Sequence, residues 1–246
     1  MAAGKSPLLR LLYAARNWRS RALFRILERH ARGTVLDVGG FDFFLTARER
    51  GIPFDRWTTL EPAADRTPAI DDPRFEAVRG DGQRMQFEDA RFDTALAIQV
   101  LEHVSDPHAV LREMARVLRP GGSAILLVPQ TGTMHFAPRW YGNFSRYWIE
   151  EALAKAGLDV VEIRPLGGFW SSTASRLGYF FLQSFRYEGM SDARCRRSPL
   201  FFALWPFMAA FAIVAIPQCM VLSLGDLAEE PENHLAVARK PLTPAV

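Results

Sequence analysis

The chain has 246 residues, 49% hydrophobic and 23% charged, a balance that fits one sizeable globular domain and excludes a disordered one. Its net charge of +3 is small but uneven, because eight Lys/Arg and a single acid, Glu28, lie between Lys5 and Arg32. The two cysteines, Cys195 and Cys219, form no Cys-x-x-Cys and there are no paired histidines. That composition argues against a disulfide framework and a structural zinc site, and it fits a reducing cytosol.

Leu8, Leu11, Ala15, Trp18, Ala22 and Ile26 recur at three- and four-residue steps, which predicts a helix over residues 7–30. Arg10, Arg21, Arg25 and Arg32 gather on a neighbouring face, so residues 1–32 read as a basic N-terminal helix. Two roles fit it: a cap on the edge of the sheet that follows, or a helix lying on an anionic membrane surface. Arg10, Arg16 and Arg19 interrupt each apolar run, so no signal-peptide core is expected.

From residue 33 to about 165 strands and helices alternate, the signature of βαβ units and a parallel sheet. Strands are predicted near 34–38, 57–61, 75–79, 93–99, 123–129 and 158–163, with a last one over 234–239. The clearest helix covers 107–118, started by the Asp106-Pro107 cap and stopped at Arg119-Pro120-Gly121-Gly122. Another covers 146–156 and ends at Gly157. The expected organisation is therefore a core over 33–165, an insertion over 166–233, and a last strand and tail over 234–246.

Within the insertion, Ser198 to Gly225 is a run of 28 positions with no charged residue and no histidine. It exceeds the roughly 20 residues that span a bilayer, yet one crossing would strand the last strand away from its sheet. Pro206 and Pro217 are potential helix breaks. A re-entrant or in-plane membrane hairpin resolves the conflict, with Arg194, Arg196 and Arg197 at the lipid headgroups. A buried helical lid or a dimer interface is the other reading.

Three of the predicted strands end on acids: Asp37, Glu61 and Asp81. In an open parallel sheet the carboxyl ends of the strands border the ligand crevice, so three carboxylates there make a nucleoside site. The turn Gly39-Gly40-Phe41-Asp42-Phe43-Phe44 lacks the Gly-x-Gly-x-x-Gly spacing that lets a backbone approach a pyrophosphate, which disfavours a dinucleotide.

Val35-Leu-Asp-Val-Gly-Gly40, Leu60-Glu61-Pro62, Gly80-Asp81, Phe92-Asp93, Val100-Leu-Glu-His-Val104 and Val117-Leu-Arg-Pro-Gly-Gly122 stand in one order. In that order the chain resembles the class I S-adenosylmethionine-dependent methyltransferases, and is similar to their type 11 branch. The resemblance implies a Rossmann-like, seven-stranded, mostly parallel sheet with helices on both faces, here with an apolar helical insertion before the last strand. It implies S-adenosylmethionine as cofactor. Asp37, Gly39 and Gly40 would line its methionine and ribose side, and Glu61 would accept from the ribose hydroxyls. Asp81 would meet the adenine amino group, with Gly82 and Met85 against the ring, and Gln99 would lie near the methionine part. The family usually has glycine at the positions of Phe41 or Phe43, whose bulk would narrow the cofactor loop.

Catalytic candidates for an acceptor that must lose a proton are His103, His135 and Tyr141, with His135 favoured because its loop follows the fifth strand. No metal is assigned. The expected function is methyl transfer to a hydrophobic or lipid-linked small molecule at the cytosolic face of a membrane, by a peripheral or monotopic protein. The alternatives are a non-catalytic membrane-associated protein retaining the fold, and a nicotinamide-dependent oxidoreductase. No aromatic–basic interleaving marks a nucleic-acid platform.

Overall fold

The computed structural model describes residues 21–63, 69–136, 138–186, 192 and 195–242. Helix α1 is described over residues 21–30. There follow β1 (Thr34–Val38), α2 (Phe43–Glu49), β2 (Arg56–Glu61), β3 (Phe75–Arg79) and β4 (Phe92–Ile98). A 3-10 turn (Leu101–His103) leads to α3 (Pro107–Val117), β5 (Leu118–Pro129), α4 (Arg146–Lys155) and β6 (Asp159–Leu166). The helices α5 (Phe169–Ser184) and α6 (Pro199–Leu222) precede β7 (Asn233–Arg239).

The seven strands form one sheet in the order β3-β2-β1-β4-β5-β7-β6. All neighbours are parallel except β7, which runs antiparallel to both β5 and β6. The order reverses between β1 and β4, so the carboxyl ends of those strands open onto the crevice where doubly wound sheets bind ligands. The expected architecture is the observed one.

Both faces of the sheet are covered. Leu36, Leu60, Leu96 and Leu126 come from central strands and are buried, as expected where helices cover both sides of parallel strands. Val110, Leu111 and Met114 of α3 and Ile149 and Leu153 of α4 pack on one face. Leu23, Phe24, Ile26 and Leu27 of α1 pack on the other with Phe44 and Trp57. For residues 21–30, then, the helix covers the sheet. The part predicted over 7–20, with Arg10, Arg16, Arg19 and Trp18, lies outside the described residues, as does Arg194.

Local signals explain the elements. The Asp106 carboxylate accepts the Ala109 N–H at 2.9 Å and Pro107 occupies the first turn of α3. The residues expected as a tight turn after α3, Arg119 to Gly122, fall within the span of β5 as an irregularity, where Gly121 holds φ +80° and the register against β4 shifts. Lys240 Nζ donates to the Leu118 and Arg116 carbonyls at 2.7 and 3.3 Å, and so binds the end of α3.

The apolar run is one continuous helix rather than a hairpin within itself. Pro206 and Pro217 both lie inside α6, eleven positions apart, hence close to three full turns and on one face. Each removes one backbone hydrogen bond without ending the helix. The hairpin is made by α6 with α5, joined where Arg197 Nη2 donates to the Gln183 carbonyl.

Candidate active site

At their carboxyl ends the turns after β1 and β3 are both tied to β2. The Gly39 N–H donates to the Leu60 carbonyl and the Gly80 N–H to the Glu61 carbonyl, both at 2.9 Å. Gly39 has φ +67°, and a Cβ there would meet Val100 at 2.9 Å, so the turn requires glycine twice over. Gly40 needs its missing Cβ for another reason: the Asp37 carboxylate fills that space, 1.8 Å from where the Cβ would stand.

Asp37 is fully buried, and neither of its oxygens has a hydrogen-bond partner. Burial pushes its carboxyl well above the usual carboxylate range, the nearby Trp57 indole opposes this, and the Glu61 charge adds to it. The Trp57 N–H is itself buried and completes no hydrogen bond with normal geometry. An unsatisfied buried acid beneath a glycine turn is the kind of exception that marks function.

Glu61 is buried, and its Oε1 accepts the Phe41 N–H at 2.8 Å, which fixes the carboxylate beside the turn. Phe41 adopts φ +48° with its ring half exposed, whereas Phe43 turns inward, 6.1 Å from the rings of both Phe24 and Trp57. Phe44 is completely buried. Of the bulk expected to narrow the cofactor loop, Phe43 is spent on the core, whereas Phe41 stays at the turn.

Asp81 is exposed, and its Oδ1 accepts the Gln83 N–H at 2.9 Å. Gly82 packs on Val38, where a Cβ would lie 2.9 Å from Cγ1. Met85 is not presented at the surface: it is a core side chain whose N–H donates to Glu113 Oε2 at 2.7 Å. Gln99, at the end of β4, holds the left-handed φ +57°, and its Nε2 donates to Asn233 Oδ1 at 2.8 Å. A non-glycine residue so strained at a strand end fits a functional position.

A second cluster forms where the turn after β4 meets the loop after β5. The His103 and His135 rings stand 4.9 Å apart at a steep angle, with Trp140 4.6 Å from His135 and 5.5 Å from His103. The His103 Nδ1 bonds to the Arg139 carbonyl at 2.7 Å and the His135 Nδ1 to the Thr133 carbonyl at 3.0 Å. Burial holds the His103 imidazole below its ordinary value, against the raising effect of the Arg139 carbonyl. Tyr141 stays apart: its ring is exposed, and its N–H donates to the Glu102 carbonyl at 2.8 Å.

Glu102 is the residue the sequence reading passed over. It is completely buried with both carboxylate oxygens unpartnered, and burial pushes its carboxyl up to about 8. The available signal was an acid set between Leu101 and His103 in an otherwise apolar turn.

The α5–α6 hairpin is attached to this cluster. Tyr179 of α5 lies 6.4 Å from His135, Ser172 bonds to Thr131 at 3.0 Å, and Gln183 Nε2 donates to the Met134 carbonyl at 3.5 Å. By contrast, a cavity of about 370 Å³ opens at the amino ends of the strands, lined by Arg56, Thr58, Arg74, Glu76 and Arg91. We place the candidate site at the carboxyl ends, because the buried acids and the strained turns are there.

Residues 52–126 match the family model described as a methyltransferase domain. An uncharacterized methyltransferase of Mycobacteroides abscessus is 36% identical over 130 residues, covering 44% of this chain and 49% of that protein. A sterol 4-C-methyltransferase of Caenorhabditis elegans is 43% identical over 99 residues, covering 38% of this chain and 27% of that protein. The chain thus spans half or less of the length of these two relatives. Among solved structures, a Haemonchus contortus phosphoethanolamine N-methyltransferase in complex with S-adenosylhomocysteine superposes with a TM-score of 0.56 at 16% identity. That match covers 92% of this chain and 52% of the other. The cyclase SpnF superposes with a TM-score of 0.59 at 18% identity, covering 90% and 82%. At such identities the likeness is one of fold.

Proposed function

We propose that this chain, whose α/β core has the class I S-adenosylmethionine-dependent methyltransferase fold and carries a methyltransferase domain, binds S-adenosylmethionine and methylates a hydrophobic or lipid-linked small molecule. The observation that carries this reading is the joint at β1 and β2. There Glu61 is fixed on the Phe41 N–H, and Asp37 lies unpartnered under Gly40.

The donor set suits the cofactor. A carboxylate such as Glu61 accepts from two ribose hydroxyls, and Gly39, Gly40 and Gly82 let the turns beside it pack closely on Val100, Asp37 and Val38. Asp81 would accept from the adenine amino group, and Gln99 would border the methionine part. When bound, S-adenosylmethionine supplies a methyl group already activated on a sulfonium. The chain's task is alignment, which for well-oriented partners removes on the order of 7–11 kcal/mol of barrier. His135, whose Nδ1 bonds to the Thr133 carbonyl, is the candidate group to take the proton of an acceptor hydroxyl.

The acceptor class is read from α6. Its buried positions are the small residues Ala209, Ala212, Ala215 and Cys219, whereas Phe202, Phe207, Phe211, Ile213 and Val214 face outward. A soluble core helix has the reverse pattern. Small residues between helices and large apolar ones outside are the arrangement used against lipid. Within Pro199–Gly225 the most apolar 18 residues have a mean hydropathy of 2.2, and only 17% of them are buried. The hairpin adjoins the His135 loop, so an acceptor drawn from a bilayer would arrive beside the candidate base. In this reading the chain works at the cytosolic face of a membrane. The sterol-methylating relative points the same way.

Isothermal titration with S-adenosylmethionine tests the cofactor. Charge-assisted hydrogen bonds contribute about 1.5–3 kcal/mol each, so Glu61→Ala is expected to weaken binding by at least about tenfold. No detectable heat with the native chain would end the enzymatic reading. Flotation with anionic liposomes tests the membrane. The native chain is expected to float and the variant carrying Phe207→Ser, Phe211→Ser and Val214→Ser to stay behind.

A further inference from the structure

We infer that Glu102, His103 and His135 form a divalent-cation site of the two-histidine, one-carboxylate type. Each offers one ligand atom, and the three atoms lie within 4.8 Å of one another, His103 Nε2 and Glu102 Oε1 being 4.0 Å apart. Ligands of a tetrahedral Zn²⁺ at about 2.0–2.2 Å stand roughly 3.4 Å apart, so modest side-chain rotations close the set.

Two further features point to a ligand. The first is the completely buried Glu102 carboxylate, which no protein donor satisfies. A buried polar group without a partner is costly, and a cation would supply the missing one. The second is the orientation of the imidazoles. Backbone carbonyls carry no proton, so the bonds to Arg139 and Thr133 make each Nδ1 the donor. That leaves both Nε2 atoms as the lone-pair donors, the tautomer that outer carbonyls impose on metal-binding histidines, and His103 Nε2 stands 4.0 Å from Glu102 Oε1. Trp140 and Tyr179 add aromatic walls.

Three protein ligands leave open positions, so an ion held there would take an oxygen of the acceptor, orient it and make it more acidic, with His135 then a ligand and no longer the proton acceptor. Mixed nitrogen and oxygen donors favour a borderline transition ion such as Zn²⁺ or Co²⁺ over Ca²⁺ or Mg²⁺. The ion's use in methyl transfer rests on the proposed function, whereas its binding does not.

The test is titration of the purified full chain with Co²⁺, read by its visible absorption, followed by competition with Zn²⁺. One equivalent is expected, with bands of a four- or five-coordinate ion that Zn²⁺ abolishes. Glu102→Gln, His103→Asn and His135→Asn are each expected to weaken binding by more than about 100-fold, while His108→Ala leaves it unchanged. Circular dichroism establishes that each variant is folded. Less than a tenth of an equivalent bound, or folded variants that bind like the native chain, would overturn the site. Titration with S-adenosylmethionine in chelator, run alongside, separates the two ideas. Heat there with no Co²⁺ bound defeats only the metal, and Co²⁺ bound without that heat defeats only the cofactor.

Discussion

The Asp37 carboxylate occupies the volume that a side chain at Gly40 would need, its Oδ2 lying 1.8 Å from the position of a Cβ there. Turn and acid are therefore one unit. Gly40→Ala must displace a buried carboxylate, and we expect it to cost about 1–3 kcal/mol of stability, read by urea unfolding, and to weaken S-adenosylmethionine binding. Unchanged stability would show that Asp37 moves freely.

Asp37 itself should trade stability for function. Its carboxyl is held well above the usual range, chiefly by burial, so its contribution to stability is present at acid pH. That contribution is lost as pH rises through and above about 3.9, the value in the unfolded chain. Asp37→Asn should therefore unfold at a higher temperature than the native chain at pH 8, the advantage shrinking towards pH 4, while binding cofactor less well. Scanning calorimetry at the two pH values checks the sign.

His234 predicts the opposite limb. It is buried on β7, its Nε2 bonds to Gln130 Oε1 at 2.6 Å, and its Nδ1 has no partner. Burial, and then the Arg146 charge, lower its pKa, so the unfolded chain binds the proton first. Stability should fall as pH drops below about 6.5, the unfolded value, and His234→Gln should flatten that part of the profile.

Gln99 combines a strained backbone with a hydrogen bond to Asn233. Gln99→Gly relieves the first and deletes the second, each on the order of 1 kcal/mol, so the net change in stability should be small. Cofactor affinity should nevertheless fall, a split that titration and unfolding together would reveal.

The two faces of α6 should respond differently. Ala212→Phe puts bulk where the helix is buried, with an expected cost of about 1–3 kcal/mol. Phe211→Ser changes an exposed ring and should leave stability within about 0.5 kcal/mol while reducing liposome binding.

Much of this was legible in the residues. Thr34–Val38 was placed at its observed bounds, and α3 was found from Asp106 and Pro107, because cap chemistry and short apolar runs are local signals. The seven-stranded sheet followed from alternation and from the resemblance. Less legible was α6: its two prolines read as breaks, yet isolated prolines on one face cost single hydrogen bonds and the helix runs on. Met85 looked like a ring contact and is a core residue, since a methionine near a strand end serves either use equally well.

What the sequence determined by itself was periodicity, the acids at the strand ends and the uncharged length of the insertion, all properties of neighbours along the chain. Only the tertiary structure decided which polar groups lose water together. Glu102 and His135 are 33 positions apart in sequence, and only the fold brings them within reach of one another and buries the Glu102 carboxylate. Likewise, that α6 turns its small residues inward emerges only once α5 is packed against it, because the side to be buried is chosen by the neighbour and not by the helix.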